Sequence, residues 1–467
     1  MLKLFVIILT LKCIGQSCLA QSIQINDLDS LGAVIKDAYA GYKDKVKGDE
    51  FDVLLQQVKR SKSKDTFALL SRLTAYFKDH HLMLFDYNIR KQKIDTQQCK
   101  RDSQIIHRYF ANKRPKAEYE GFWLSDFNYC IIALKKVSSN PVTYHGYVME
   151  TTRKAIPGSC ILKMTLQNDG TYFTDYTEEG LAYRLFLHSK FKNKNTLLVN
   201  SFGGIWRRIS NYKQGTLAGL TQFSFKPAFD VIDEKTVLLK MPDFGSENIE
   251  KYDSLIKANV TRLENATTLI VDIRHNTGGT INNYLPLLPY IYTNPILHSG
   301  GYDLYSNLYI KNYESTIKKY LAKGDTVNAN IYIDYFDSVK AKKGQFDYTG
   351  PDTLAKDLPV LANPKNVAVL INNNCLSAAE LMLLNFKQSR KVKLFGERTG
   401  GAVDYLNALT LPISSRKYSL FIATVKREIT PQQPSYDGKG IVPDVEISDD
   451  VSDWVAFVKK YYDEHQQ

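Results

Sequence analysis

The sequence predicts an α/β protein with a helical start, an antiparallel β region, and a closing half built on a largely parallel, two-sided sheet. Three observations carry this prediction. Residues 23 to about 95 space apolar side chains at three and four, and residues 100 to about 225 alternate aromatic and polar side chains between Gly, Asn, Ser and Pro turns. From about 226 onward, continuous apolar runs alternate with amphipathic ones. With 467 residues, 44% of them hydrophobic and 24% charged, the chain is long enough for two or three domains and a sizeable core.

The elements follow in order. Residues 1–20, "MLKLFVIILTLKCIGQSCLA", place Lys3 before the apolar stretch Leu4 to Leu11 and close on Ala20, the pattern of a signal peptide. The protein is therefore expected to be exported, periplasmic or extracellular, with lipid anchoring through Cys18 as the alternative. That apolar stretch is far shorter than the ~20 residues that cross a bilayer, and no other span is predicted. Residues 21–98 form the helical region, with "EFDVLLQQVKRS" and "KDTFALLSRLTAYFKD" as amphipathic helices. Residues 99–225 form the β-rich region, typified by "GFWLSDFNYCIIALKK" and "GTYFTDYTEE". Residues 226–467 form the α/β domain. In it the strands "KTVLLKMPDF", "TTLIVDIR" and "NVAVLINN" alternate with helices, and an irregular insertion of about sixty residues interrupts the order before "NVAVLINN".

The formal charge is +12 and the pI about 9.1, but Lys and Arg are scattered and no block of five or six like charges occurs. With no zinc-knuckle spacing and no RNA-binding aromatic motif, nucleic acid is not an expected partner. Beyond residue 20 the cysteines are Cys99, Cys130, Cys160 and Cys375. Their number and spacing give neither a disulfide scaffold nor a metal site, although one bridge among the first three is allowed.

Open α/β sheets bind ligands beyond the carboxyl ends of their strands. One such end reads "VDIRHNTGGT", where a glycine turn lets backbone amides point at a ligand. The other reads "INNNCLSAAE" and puts Ser377 at the mouth of a helix, where free N–H groups and the positive dipole end converge. Ser377 equally suits an N-cap, with Glu380 completing a capping box. Cys375 is a rival nucleophile, read here as a buried strand-end residue.

The ordered motifs "DIRHNTGG", "SAAE", "GERTGG" and "GKGIVPDVEI" resemble the tail-specific (C-terminal-processing) serine peptidases, which have a crotonase-like (ClpP/crotonase) fold. The resemblance covers residues 226 to 447. It implies Ser377 as nucleophile and an oxyanion hole from the amide of Ala378 with that of Gly278 or Gly279. The lysine that bacterial members use as base is replaced by Ala402, so the resemblance points instead to the tricorn-like branch, which uses histidine and a distant carboxylate. "YFKDHHLML" matches the family's Asp-Gly-His-Thr-like element with His81 in the histidine place, His80 being the choice if the register shifts by one. "SYDGKGIVPD" supplies Asp437 three residues before Gly440. The implied catalytic set is Ser377, His81 and Asp437, without cofactor or metal, acting on a peptide or protein. Asp272 and Arg274 are expected to pair beneath the glycine turn, and Glu397 to orient groups at a strand end. His275 and Asn276 fit either substrate contact or the turn itself. No glycine-rich carboxylate-binding loop of the PDZ type precedes the catalytic part, and residues 100–225 are expected to cover or gate the cleft. The alternative is a non-catalytic ligand- or peptide-binding protein on the same fold.

Overall fold

A computed structural model describes residues 26–91, 94–112, 116–127, 129–199 and 201–465. The expected signal peptide and Cys18 lie outside the described residues. No helix among those described is long and apolar enough to cross a membrane.

The parallel sheet forms where continuous apolar runs predict it. Six strands lie in chain order: Ala228–Val231, Thr236–Lys240, Thr268–Asp272, Asn366–Ile371, Val392–Gly396 and Val445–Glu446, all parallel after the first pair. Successive residues face opposite sides, so both faces must be covered. Leu239, Val271, Val369 and Leu394 pack against the helices Ile249–Ala258 and Ala378–Phe386 on one face. Leu238, Ile270, Leu370 and Phe395 pack against Trp454 and Val458 of the last helix, Trp454–Glu464, on the other.

The aromatic-rich region closes on itself. Eight consecutive strands, from Gly121–Ser125 to Ile205–Ile209, pair each with the next, and the first pairs with the last (Trp123 opposite Arg208). The result is an up-and-down antiparallel barrel, which leaves no edge among these pairings. Alternation fills its interior: Trp123, Leu134, Tyr144, Leu162, Tyr176, Leu185 and Trp206 are buried in one cluster.

Strand Leu82–Asp86 connects these halves. It pairs with the barrel at Phe85–Leu185 and with strand Ser419–Arg427 at Leu82–Ile422. The N-terminal helices, among them Glu50–Lys59 and Thr66–Ala75, share one core with it through Phe51, Phe67, Leu70 and Leu73, joined by Leu420 of the neighbouring strand.

Three sequence expectations need correction. The stretch 99–225 opens inside a helix, Thr96–Ala111, rather than in β structure. The insertion is not irregular: it holds a helical hairpin, Asn307–Ala322 and Thr326–Ala341, joined through contacts of Tyr313 with Tyr332 and Phe336. Its apolar Val327, Ile331 and Tyr335 stay exposed, which removes the one-sided burial that makes a helix readable. Strands Tyr405–Pro412 and Ser419–Arg427 leave the parallel sheet and run antiparallel in the sheet that contains the barrel. The four cysteines are free, and Cys99, Cys130 and Cys375 are buried.

Candidate active site

Two strand ends meet at the site. Strand Asn366–Ile371 leads into a turn tied to its neighbour: the Leu376 N–H donates to the Asn276 carbonyl at 3.1 Å, and the His275 N–H donates to Asn372 Oδ1 at 3.0 Å. The chain then reverses at Ser377, with φ +57° and ψ −123°, and enters the wholly buried helix Ala378–Phe386. A non-glycine residue at such dihedrals costs on the order of 1–3 kcal/mol, a strain held where the surroundings fix it. Glu380 does much of that fixing. Its fully buried carboxylate accepts the Ser377 N–H at 3.3 Å, Gly401 N–H at 2.9 Å, Ala402 N–H at 2.6 Å and the Thr399 hydroxyl. Burial pushes the Glu380 carboxyl up to about 7 against those four donors. The position of the missing lysine, Ala402, is thus part of the seat of the serine.

With its backbone clamped, Ser377 turns its hydroxyl toward His81: Nε2 lies 3.1 Å from Oγ, across 296 residues of sequence. The histidine sits immediately before strand Leu82–Asp86, and its carbonyl accepts the Ala423 N–H at 2.9 Å. Burial lowers its proton affinity, and the nearby Asp79 charge and the Tyr405 carbonyl oppose that shift. Phe421 packs its ring 5.8 Å from the imidazole. His80, the alternative register, is buried toward Gly400 and held down to about 4, chiefly by that burial.

Asp437 is not brought to His81. Its carboxylate pairs with Lys45 at 2.7 Å, and burial raises it to about 6 against the pull of that lysine. The other ring nitrogen, His81 Nδ1, is buried and makes no hydrogen bond among the described residues. The sequence shows Asp437 at a suitable motif position but not Lys45, which competes for it from a short N-terminal helix, Tyr42–Lys45.

The glycine turn divides its two amides. Gly278 N–H donates to Asn276 Oδ1 at 2.9 Å and is spoken for. Gly279 forms a parallel bridge opposite Phe244, in which Phe244 bonds Gly278 O and Thr280 N, leaving the N–H of Gly279 pointing the other way. Gly279 and Ala378 both line the cavity at Ser377, and Ala378, as the first helical residue, has no intrahelical acceptor. Gly278 serves by its lack of a side chain, since a Cβ there would come within 2.7 Å of Ser377 Cβ.

The supporting residues separate. Asp272 and Arg274 form a two-pronged ion pair at 2.7 and 2.9 Å. Glu397 pairs with Lys192 and Arg207 of the barrel, at 3.1 and 3.4 Å, and touches neither Ser377 nor His81. His275, at φ +66°, is buried under Phe127 and Phe223 and held down to about 3 by that burial. Asn276 bonds the Met241 carbonyl at 2.7 Å. Both are turn residues. Cys375 gives its thiol hydrogen to the Ile273 carbonyl at 3.0 Å, and burial raises it to about 12, so it is no nucleophile.

The cavity at Ser377 has a volume of about 780 Å³ and is walled by Thr280, His298, Asp303, Leu406, Phe421 and Arg427 among others. None of its lining residues comes from the barrel, so the expected cover over the cleft is absent from its walls. The barrel instead braces the turn from behind, through Phe127 on His275 and the Arg207–Asp126 pair at 3.1 Å.

Residues 235–447 match the model of peptidase family S41. The chain carries a domain of that family and is a serine peptidase by class. Three solved structures resemble it across nearly their whole length. Mature CPAF is 12% identical over 92% of this chain and 93% of its own, with a TM-score of 0.49. A putative peptidase from Parabacteroides merdae ATCC 43184 is 11% identical over 91% and 90%, with a TM-score of 0.42. The photosystem II D1 C-terminal processing protease is 12% identical over 91% and 93%, with a TM-score of 0.39.

Proposed function

We propose that the protein is an exported peptidase in which Ser377 is the nucleophile and His81 the general base, acting on peptides or proteins. The observation that carries this is the 3.1 Å approach of Nε2 to Oγ at the mouth of a buried helix. Ser377 Oγ attacks the scissile carbonyl while His81 Nε2 takes its proton. The N–H groups of Gly279 and Ala378 receive the oxyanion, helped by the helix dipole. Collapse expels the amine, which takes the proton back from His81, and water then hydrolyses the acyl-enzyme by the same route. Burial favours neutral His81, the form a base needs. Asp437 acts at one remove, through Lys45. The helix-covered parallel sheet suits a crotonase-like fold, and the N-terminal twenty residues suit export.

Replacing Ser377 by Ala tests the assignment against a mixed peptide library. Turnover is expected to fall by roughly 10⁴-fold or more, and a fluorophosphonate probe that labels the native protein is expected to leave the variant unlabelled. Equal turnover, or labelling elsewhere, removes Ser377 from the reaction.

A further inference from the structure

We propose that Asp79 and Lys45 are positioning residues for the Ser377–His81 pair, replacing by charge what a carboxylate on the outer imidazole nitrogen does elsewhere, with Asp437 holding Lys45 in place. This rests on the peptidase reading above and deepens it. The need is visible at His81 Nδ1. When the ring accepts the serine proton it becomes an imidazolium, and its buried Nδ1 meets no carboxylate, with only the Tyr405 backbone carbonyl nearby to favour the cation. In the familiar triad a carboxylate meets that nitrogen, fixes the tautomer and stabilises the cation. Here Asp437 is engaged elsewhere.

Asp79 is the carboxylate that faces His81. Its Oδ1 accepts the His81 backbone N–H at 2.7 Å, and its Oδ2 accepts the Tyr39 hydroxyl. One contact fixes where the ring starts from, and the other fixes the carboxylate. The charge stands close enough to favour the imidazolium through space, and burial strengthens that interaction. Lys45 sets how much of this charge His81 experiences. Its ammonium lies 2.7 Å from Asp437, donates to the Phe77 carbonyl at 3.1 Å, stands 3.8 Å from Asp79 and 4.9 Å over the Tyr405 ring. Two acids and one cation therefore form a cluster behind the imidazole whose formal charge is −1 above about pH 6, where Asp437 is ionised. The other titratable and charged groups around it are His80 on the same segment, Tyr39 and Tyr405 in the layer of Lys45, Glu380 beneath Ser377, and the acids Asp404 and Asp44, each held in an ion pair, with Arg427 and Lys426 respectively.

The test is the acid limb of kcat/KM against pH, with a fluorogenic peptide and the full chain. Asp79→Asn removes the supporting charge, so the limb moves to lower pH by roughly half a unit or more, and kcat falls about tenfold. Lys45→Met unmasks Asp79, so the limb moves the opposite way by roughly half a unit, while Lys45→Arg restores it. Asp437→Asn leaves Lys45 unneutralised and moves the limb down by a smaller amount. A merely structural role lowers rates without shifting limbs in opposite directions, so superimposed limbs overturn the proposal. NMR titration of the His81 imidazole reads the same shifts without turnover. It therefore separates failure of this proposal from failure of the peptidase reading, for which the native protein shows no Ser377-dependent hydrolysis. Should Asp79→Asn or Lys45→Met not fold, the partly exposed Asp437→Asn carries the test by the sign of its shift.

Discussion

The barrel and the parallel sheet solve the same packing problem and differ in what they leave over. Both bury nearly every inward side chain. The barrel closes its hydrogen-bond ring and spends its alternation on an interior of Trp, Tyr and Leu, so its strands end in ordinary turns. The sheet stays open, and its last five strands point their carboxyl ends the same way, which gathers a glycine turn and a helix mouth at one edge. Uniform strand direction, rather than core quality, is what produces a reactive edge here. The barrel serves that edge by bracing it.

The comparison is sharpest at Gly279. A Cβ there would meet the Phe244 carbonyl at 2.0 Å, and its φ of +139° disfavours any side chain. Gly279→Ala is expected to displace the oxyanion turn and cut kcat by about a hundredfold or more; native kcat in a folded variant would remove that amide from the site. Trp206→Ala in the barrel is expected to do the reverse. It loses about 3–5 kcal/mol of stability, measured by urea unfolding, while the folded fraction keeps its kcat. A barrel substitution that lowers kcat without lowering stability would break the division of labour.

The smallest effect is a slope. Burial pushes Glu380 up to about 7 from the 4.5 ordinary for a glutamate. Between those values the folded protein holds a proton that the unfolded chain has released, so stability falls as pH rises through that window. Glu380→Gln is expected to flatten this dependence, whatever its effect on absolute stability, when unfolding midpoints are compared at the two ends. An unchanged slope would place the titration elsewhere.

The sequence made the sheet legible because a two-sided strand is a continuous apolar run, and "TTLIVDIR" and "NVAVLINN" read as nothing else. Motif position singled out Ser377 and His81, and the fold brings their side chains to 3.1 Å although they lie 296 residues apart. Barrel closure was not legible, because alternation shows that Arg184–Asn193 is a strand but not that Ile205–Ile209 returns to Gly121–Ser125. Nor was the partner of Asp437, since nothing local to "YKDK" marks Lys45 as buried against a distant acid. The hairpin at 307–341 was missed because its apolar residues are divided between an aromatic seam and solvent.

The long separation of imidazole and hydroxyl has a consequence for biosynthesis. A growing chain presents the histidine early, yet its carbonyl is pinned only when Ala423 arrives to donate its N–H. Until that late strand is made, the His81 imidazole and the Ser377 hydroxyl have no common frame, so on the proposed mechanism a half-finished molecule has no assembled nucleophile. Competence is thereby postponed until nine-tenths of the polypeptide exists.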